Sequence, residues 1–141
     1  MRYTIEDSEM NGNELTQFSN KKYINLETRR KSGQVIGTPV WFVQDGGKIF
    51  VRTDRKSGKV RRAQNNPSVR IVPCDFRGRP KGKWIDCTVQ MADELESNHA
   101  KQLFDQKYGL SGRMLGIMYR LKKVDFVVLA ICFDGDKLTM E

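Results

Sequence analysis

The residues with the clearest chemical potential are six cations between positions 52 and 62, opposed in that stretch by Asp54 alone. They are Arg52, Arg55, Lys56, Lys59, Arg61 and Arg62. A lysine provides a point charge and an arginine a two-pronged donor, so together they suit an anion such as a phosphate. The preceding sequence, TPVWFVQDGGKIFVRT, is β-rich and contains a tight-turn signal, DGG. We therefore expect a ligand that is flat where it meets the strands and phosphorylated where it meets the cations.

The whole chain is also cationic, with a formal net charge of +8 over 141 residues. Such a charge suits nucleic acid, an acidic membrane face or a phosphorylated small molecule, although it also serves solubility alone. The basic glycine-containing steps Arg77-Gly78 and Lys81-Gly82 would suit a single-stranded nucleic acid. The aromatic sheet motif of common RNA readers is missing, however, so nucleic acid is the less favoured partner.

Residues typical of acid–base, thiol or metal chemistry are sparse and scattered. His99 is the only histidine, and we interpret it as a surface or otherwise satisfied residue of a helix. Cys74, Cys87 and Cys132 form no CxxC pair, which predicts buried reduced thiols, no metal site and a reducing, cytoplasmic compartment. The N-terminus lacks a signal-peptide pattern, and the apolar run Phe126–Phe133 is too short to span a membrane.

The elements that must position these residues are mostly strands. Alternating apolar residues predict strands over 22–28, 34–44 (interrupted by Pro39), 48–53, 68–74, 84–91 and 125–133. Helices are predicted over 57–65, from 93 to 109 and from 114 to 121. This predicts a mainly β domain over 21–134, an antiparallel barrel of six or so strands with peripheral helices. Residues 1–20 are predicted to form a partly ordered arm, with a helical turn over 15–19, and residues 135–141 a tail.

Three segments in this order resemble one known family: LETRRKSGQVIGTPVWF, DGGKIFVRT and SGKVRRAQNNPSVRIVPCDFRGRPKG. The family is the split β-barrel flavin-binding proteins, whose reference member is pyridoxamine 5′-phosphate oxidase. The closer resemblance is to its deazaflavin branch, small oxidoreductases that use coenzyme F420. The KYGL helix end, followed by an amphipathic helix and an apolar strand, is similar to the same branch. The resemblance runs from Tyr23 to Phe133.

This resemblance implies an FMN-binding split-barrel fold and a homodimer with the cofactor at the subunit interface. The flat ring would lie against Thr38, Pro39, Val40 and Trp41. Lys59 matches the family's phosphate-binding lysine, and Arg52 and Thr53 match positions along the ribityl-phosphate path; Ser57 and Arg62 are further positions of the site. From residue type alone, Trp41 and Trp84 are interpreted as core residues, although either could stack on a ring.

The function implied is F420-dependent hydride transfer to a small organic acceptor. The cofactor carries the reactivity in such enzymes, so the absence of a catalytic triad does not exclude an enzyme. The more acidic tail of F420 would give Arg55, Lys56 and Arg61 a role. The alternatives are an FMN-binding oxidase-like protein or flavin reductase, a cofactor carrier or sensor without turnover, and a basic nucleic-acid-binding barrel.

Overall fold

Seven antiparallel strands form one continuous sheet in the computed structural model of the chain, which describes residues 15–133. The strands are β1 (Tyr23–Arg29), β2 (Val35–Trp41), β3 (Val43–Asp45), β4 (Lys48–Asp54), β5 (Ser68–Cys74), β6 (Ile85–Met91) and β7 (Phe126–Phe133). Helix α1 (Gly58–Asn65) follows β4, and helix α2 (Glu94–Leu121) connects β6 to β7. The predicted mainly β architecture with peripheral helices is confirmed.

The sheet must curl because its two edges are neighbours in the sequence. The strand order is β2-β1-β5-β6-β7-β4-β3, so β2 and β3 lie at opposite edges. A single residue, Phe42, separates the two strands along the chain. A flat sheet would hold these edges several strand spacings apart, at about 4.8 Å for each pair. The result is the curled sheet of a split β-barrel.

Burial follows the strand alternation that the sequence predicts. In β1, Ile24, Leu26 and Thr28 are buried in the barrel interior while the residues between them are half-buried. Strand β7 is buried on both faces, because Leu129 and Ile131 face the interior while Val128 and Ala130 pack beneath α2. The unbroken apolar sequence of β7 is typical of a strand covered on both sides.

One predicted element differs from that observed. The predicted strand over 34–44 breaks at Phe42 and not at Pro39, which lies opposite Asn25 inside β2. Proline is tolerated there because β2 is an edge strand with one side free of ladder bonds.

The helix predicted to end at Gly109 and the helix predicted after it are both observed. They meet at a kink where Gly109 adopts a φ of 56°, and together they form α2. Glycine accepts this left-handed conformation without a Cβ clash.

The segment before β1 packs against the barrel. Its helical turn at Leu15 and Thr16 places Phe18 in the core, where only 1% of its surface is exposed. Gln17 fixes the segment further, accepting a bond from the backbone N–H of Lys83 and donating to its carbonyl. The rest of the predicted arm and the predicted tail lie outside the described residues, so the domain limits stay predictions. Within 15–133, no helix has the length and hydrophobicity that crossing a membrane requires.

Candidate functional site

The predicted cofactor surface lies in a cleft of about 500 Å³ between the edge of the sheet and helix α2. Apolar and aromatic residues supply one part of its lining: Tyr23, Pro39, Val40, Trp41, Phe104, Tyr108, Val124 and Phe126. Polar residues from β4 and α1 and one helical acid supply the other: Arg52, Thr53, Asp54, Ser57, Lys59 and Asp105. We call this space the first cleft. Seven of the nine predicted site residues line it.

Aromatic rings form one wall of the first cleft. The rings of Trp41 and Tyr108 are stacked, with centroids 4.2 Å apart and planes 4° from parallel. Phe104 continues the stack, with its centroid 5.7 Å from that of Tyr108. Trp41 is half-buried and lines a cleft, so it is not the core residue that its type suggested. We call Trp41, Tyr108 and Phe104 the aromatic wall.

The aromatic wall is held in place through the backbone of Phe42, the residue that joins the sheet edges. The N–H of Phe42 donates to the Tyr108 hydroxyl at 2.9 Å, and that hydroxyl lies 2.8 Å from the carbonyl oxygens of both Phe42 and Lys22. Lys107 Nζ also donates to the Phe42 carbonyl at 2.8 Å and sits 3.5 Å from the centre of its ring. Burial of this ammonium group lowers the pKa of Lys107 to about 8.

The cations of the first cleft are partly buried and have no partner acid. Burial lowers the pKa of Lys59, nearby Arg62 lowers it further, and Asp54 opposes both effects. Burial likewise lowers the pKa of Arg52, against an opposing effect of Asp105. Within residues 15–133, neither Arg52 nor Lys59 takes part in an ion pair. Asp54 and Asp105 attract these cations without forming an ion pair with them, so an anion bound here would be stabilised by charges that are only partly compensated.

Ser57 adds an unpartnered hydroxyl to the same cleft. It occupies the N-cap position of α1, but its side chain makes no capping bond. Its Oγ is buried and has no hydrogen-bond partner among the described residues. An orphaned buried hydroxyl costs about 1–3 kcal/mol, a cost that a ligand oxygen would remove. The first amides of α1 follow directly and favour an anion in the same place.

Several predicted residues do not line the first cleft. Thr38 pairs with Leu26 inside the sheet, and Arg62 donates from Nε to the hydroxyl of buried Thr28 at 2.6 Å. Of the outer cations, Arg55 forms an ion pair with Asp125 at 2.8 Å. The two remaining outer cations, Lys56 and Arg61, are exposed and lie outside the cleft.

Other residues with chemical potential lie elsewhere. His99 pairs with Asp45 at the surface, with 2.6 Å between Nε2 and Oδ2, as expected for a satisfied histidine. Cys74 and Cys87 are buried, Cys132 is half-buried, and none of the three forms a disulfide within residues 15–133. Trp84 is half-buried beneath the guanidinium of Arg70, 4.6 Å from its ring centre.

Sequence reasoning missed the contribution of α2 to the cleft. Phe104 and Tyr108 are four residues apart, a spacing typical of one face of a helix, but the spacing does not show what that face contacts. Asp105, Gly112 and Gly116 of the same helix also line the cleft. The KYGL segment was the available signal, since it contains Tyr108 and the glycine that kinks the helix.

The comparison with known proteins rests on solved structures, because no protein-family model and no curated protein matches the chain. The heme storage protein HutZ from Vibrio cholerae is 19% identical, with a TM-score of 0.60 and coverage of 91% of this chain and 87% of HutZ. A Listeria innocua protein assigned as a pyridoxamine 5′-phosphate oxidase is 14% identical, with a TM-score of 0.62 and coverage of 88% and 93%. An F420 reductase is 18% identical, with a TM-score of 0.55 and coverage of 84% and 90%.

These similarities extend over nearly the whole of each chain. Because the sequence identities are low, they are evidence about the fold alone. They agree with the strand order and the curled sheet derived above. The resemblance predicted from the sequence is therefore confirmed at that level: this chain has the split β-barrel fold of the pyridoxamine 5′-phosphate oxidase-like proteins.

Proposed function

We propose that the chain is an oxidoreductase that binds a flavin-type cofactor, coenzyme F420, in the first cleft. The observation that carries the proposal is the pairing, in one cleft, of the aromatic wall with cations that are only partly compensated. A flavin or deazaflavin has the matching form, a flat ring joined through a ribityl chain to a phosphate. The names of two structural neighbours, an F420 reductase and a protein assigned as a pyridoxamine 5′-phosphate oxidase, support the same class.

Each part of the cleft has a role in this proposal. Pro39, Val40 and Trp41 provide the surface against which the ring lies, and the fixed Phe42 backbone keeps that surface in position. Lys59 and Arg52 bind the phosphate, and the Ser57 hydroxyl donates a hydrogen bond to a phosphate oxygen. A bound reduced cofactor would supply a hydride to the acceptor, and the proton that the cofactor releases on oxidation would balance the proton that the acceptor gains.

The choice of F420 over FMN rests on charge beyond the phosphate site. The acidic tail of F420 would extend past the phosphate, where Lys56 and Arg61 are exposed. The ion pair of Arg55 with Asp125 joins two largely exposed side chains, so an incoming carboxylate can compete for that arginine. FMN offers no group that would reach these residues.

An absorbance titration of the purified protein with F420 and, separately, with FMN tests the proposal. We expect binding of F420 at about micromolar concentration or below, with weaker binding of FMN. If FMN binds more tightly, the protein is an FMN-binding member of this fold class. If neither cofactor binds, the proposed function is wrong. Turnover of the reduced cofactor with candidate acceptors then distinguishes an enzyme from a carrier or sensor.

We also propose that the protein works as a homodimer formed through the second half of α2. Five large apolar side chains of this segment are exposed over 53% to 80% of their surfaces: Leu110, Met114, Ile117, Met118 and Leu121. We call them the apolar stripe. A continuous exposed set of this kind is typical of an association surface. Gly112 and Gly116 from the same segment line the first cleft, so a partner bound there would lie beside the cofactor.

A further inference from the structure

A second cleft, of about 430 Å³, opens from the first beneath the latter half of α2. The two clefts share Arg52, Asp105, Gly112, Gly116, Val124 and Phe126. The second cleft does not reach the aromatic wall, and it does not reach Ser57 or Lys59. A cofactor lying between the aromatic wall and Lys59 would therefore leave this branch unoccupied. Its lining includes Ile117 of the apolar stripe, so a partner subunit bound there would border the second cleft.

The second cleft is cationic. Beyond the shared residues it is lined by Lys101, Arg113, Ile117 and Arg120, and its one acid is Asp105. Arg113, Ile117 and Arg120 are three to four residues apart in α2, so they lie on the same face of the helix. Within residues 15–133, none of the cations Lys101, Arg113 and Arg120 takes part in an ion pair. Cations gathered around a concave space without partner acids favour an anionic ligand.

Two glycines of α2 lie at the junction between the two clefts. Gly112 and Gly116 lie four residues apart in the helix and line both clefts. A Cβ atom built on Gly116 would meet no atom within 4 Å, so a side chain there would project into open space. Glycine inside a helix is less favourable than alanine by about 1 kcal/mol, so two glycines here come at a cost in stability. Their bare backbone lets molecules in the two clefts approach each other.

We propose that the second cleft binds the acceptor substrate, and that this acceptor carries a carboxylate or phosphate group held by Arg113 and Arg120. The inference rests on the proposed function, because an acceptor requires a cofactor in the first cleft. Gly112 lines both clefts, and a Cβ atom built on it would lie 3.3 Å from the Cβ of Tyr108, so the junction lies beside the aromatic wall against which the ring is proposed to bind. Carboxylates also occur in the tail of F420, and the experiment must separate these two sources.

Calorimetric titration with citrate tests the inference on the apo, FMN-loaded and F420-loaded protein. We expect the double variant Arg113→Gln/Arg120→Gln to bind citrate about ten-fold more weakly, since two charge-assisted contacts are lost. Its affinity for FMN should stay within about two-fold of that of the original protein. The matched control Arg29→Gln/Arg77→Gln removes two exposed arginines that line neither cleft, and it should leave citrate binding unchanged.

The variant Arg113→Lys/Arg120→Lys keeps both charges and should retain most of the citrate affinity, which separates loss of charge from loss of folding. Equal citrate affinity in the double glutamine variant and the control would overturn the inference. Loss of citrate binding on loading with F420, but not with FMN, would assign the cleft to the cofactor tail and also overturn it. Citrate binding that depends on Arg113 and Arg120 in a protein that binds neither cofactor would support the anion site while the proposed function fails.

Discussion

Lys59 illustrates how the structure distinguishes one cation from its neighbours. Six cations lie between positions 52 and 62, yet Lys59 and Arg52 are the members that line the first cleft. Burial lowers the pKa of both, which means that their charged forms lack solvation or a counter-ion in the folded protein. A bound phosphate would supply that counter-ion, so these residues gain more from the ligand than an exposed cation would.

Replacement of Lys59 by alanine should weaken cofactor binding by about 1.5–3 kcal/mol, the scale of a hydrogen bond to a charged group. This corresponds to a dissociation constant about 10 to 150 times larger in an absorbance titration. Lys31→Ala removes an exposed lysine from the turn after β1 and serves as the control. Equal affinities in the two variants would mean that the phosphate binds elsewhere.

The stability of the folded protein depends on pH through the thiol of Cys74. Burial raises the pKa of its thiol from 9.0 to about 11, and Asp75 adds to the effect. Between these two values the folded state keeps the proton that the unfolded state releases, so stability falls as pH rises through this window. We expect Cys74→Ala to show a shallower decline in urea midpoint between these pH values than the original protein. Parallel curves for the two proteins would contradict this account.

At the scale of elements, helix α2 closes the sheet. Phe42 lies between the edge strands β2 and β3, so its backbone groups have no ladder partner. They are buried and take their bonds from Tyr108 and Lys107, more than 60 residues later. Because Trp41 precedes Phe42 and stacks on Tyr108, the same contacts that close the sheet also position the aromatic wall.

Tyr108→Phe should therefore reduce the free energy of unfolding by about 1–3 kcal/mol, because the buried N–H of Phe42 loses its acceptor. Urea unfolding followed by tryptophan fluorescence measures this change. Tyr23→Phe removes a hydroxyl that bonds to no residue in the described part of the chain, and it should change stability much less. A variant as stable as the original protein would show that Phe42 is satisfied without Tyr108.

At the scale of the whole molecule, the proposed dimer depends on the apolar stripe. Met114→Glu/Met118→Glu places two charges in the proposed interface, where they would lose solvation without gaining a partner. We expect a monomer in analytical ultracentrifugation at concentrations where the original protein is a dimer. Leu95→Glu changes the exposed leucine at the other end of α2 and should leave the dimer intact. If the original protein is a monomer at these concentrations, the dimer proposal is wrong.

Local sequence patterns predict part of the fold of the whole molecule. The strands around the DGG turn and the apolar run of β7 were predicted because alternation and turn chemistry depend on adjacent residues. The break of the predicted strand over 34–44 at Phe42 was missed. The cause is the closure of the sheet by a distant helix, which leaves no mark on neighbouring residues. The second cleft was missed for a similar reason, because it forms between α2 and the start of β7.

The sequence by itself determined the β-rich class of the fold, the hairpin and the concentration of cations after it, because composition and spacing are local properties. Only the tertiary structure decided which cations have partners. Packing joined Arg55 to Asp125 and Arg62 to Thr28, and within residues 15–133 it left Lys59 and Arg52 without an ion-pair partner beside an aromatic wall. The physical reason is that burial and pairing depend on segments far apart in the chain, which meet only when the sheet curls and α2 closes it.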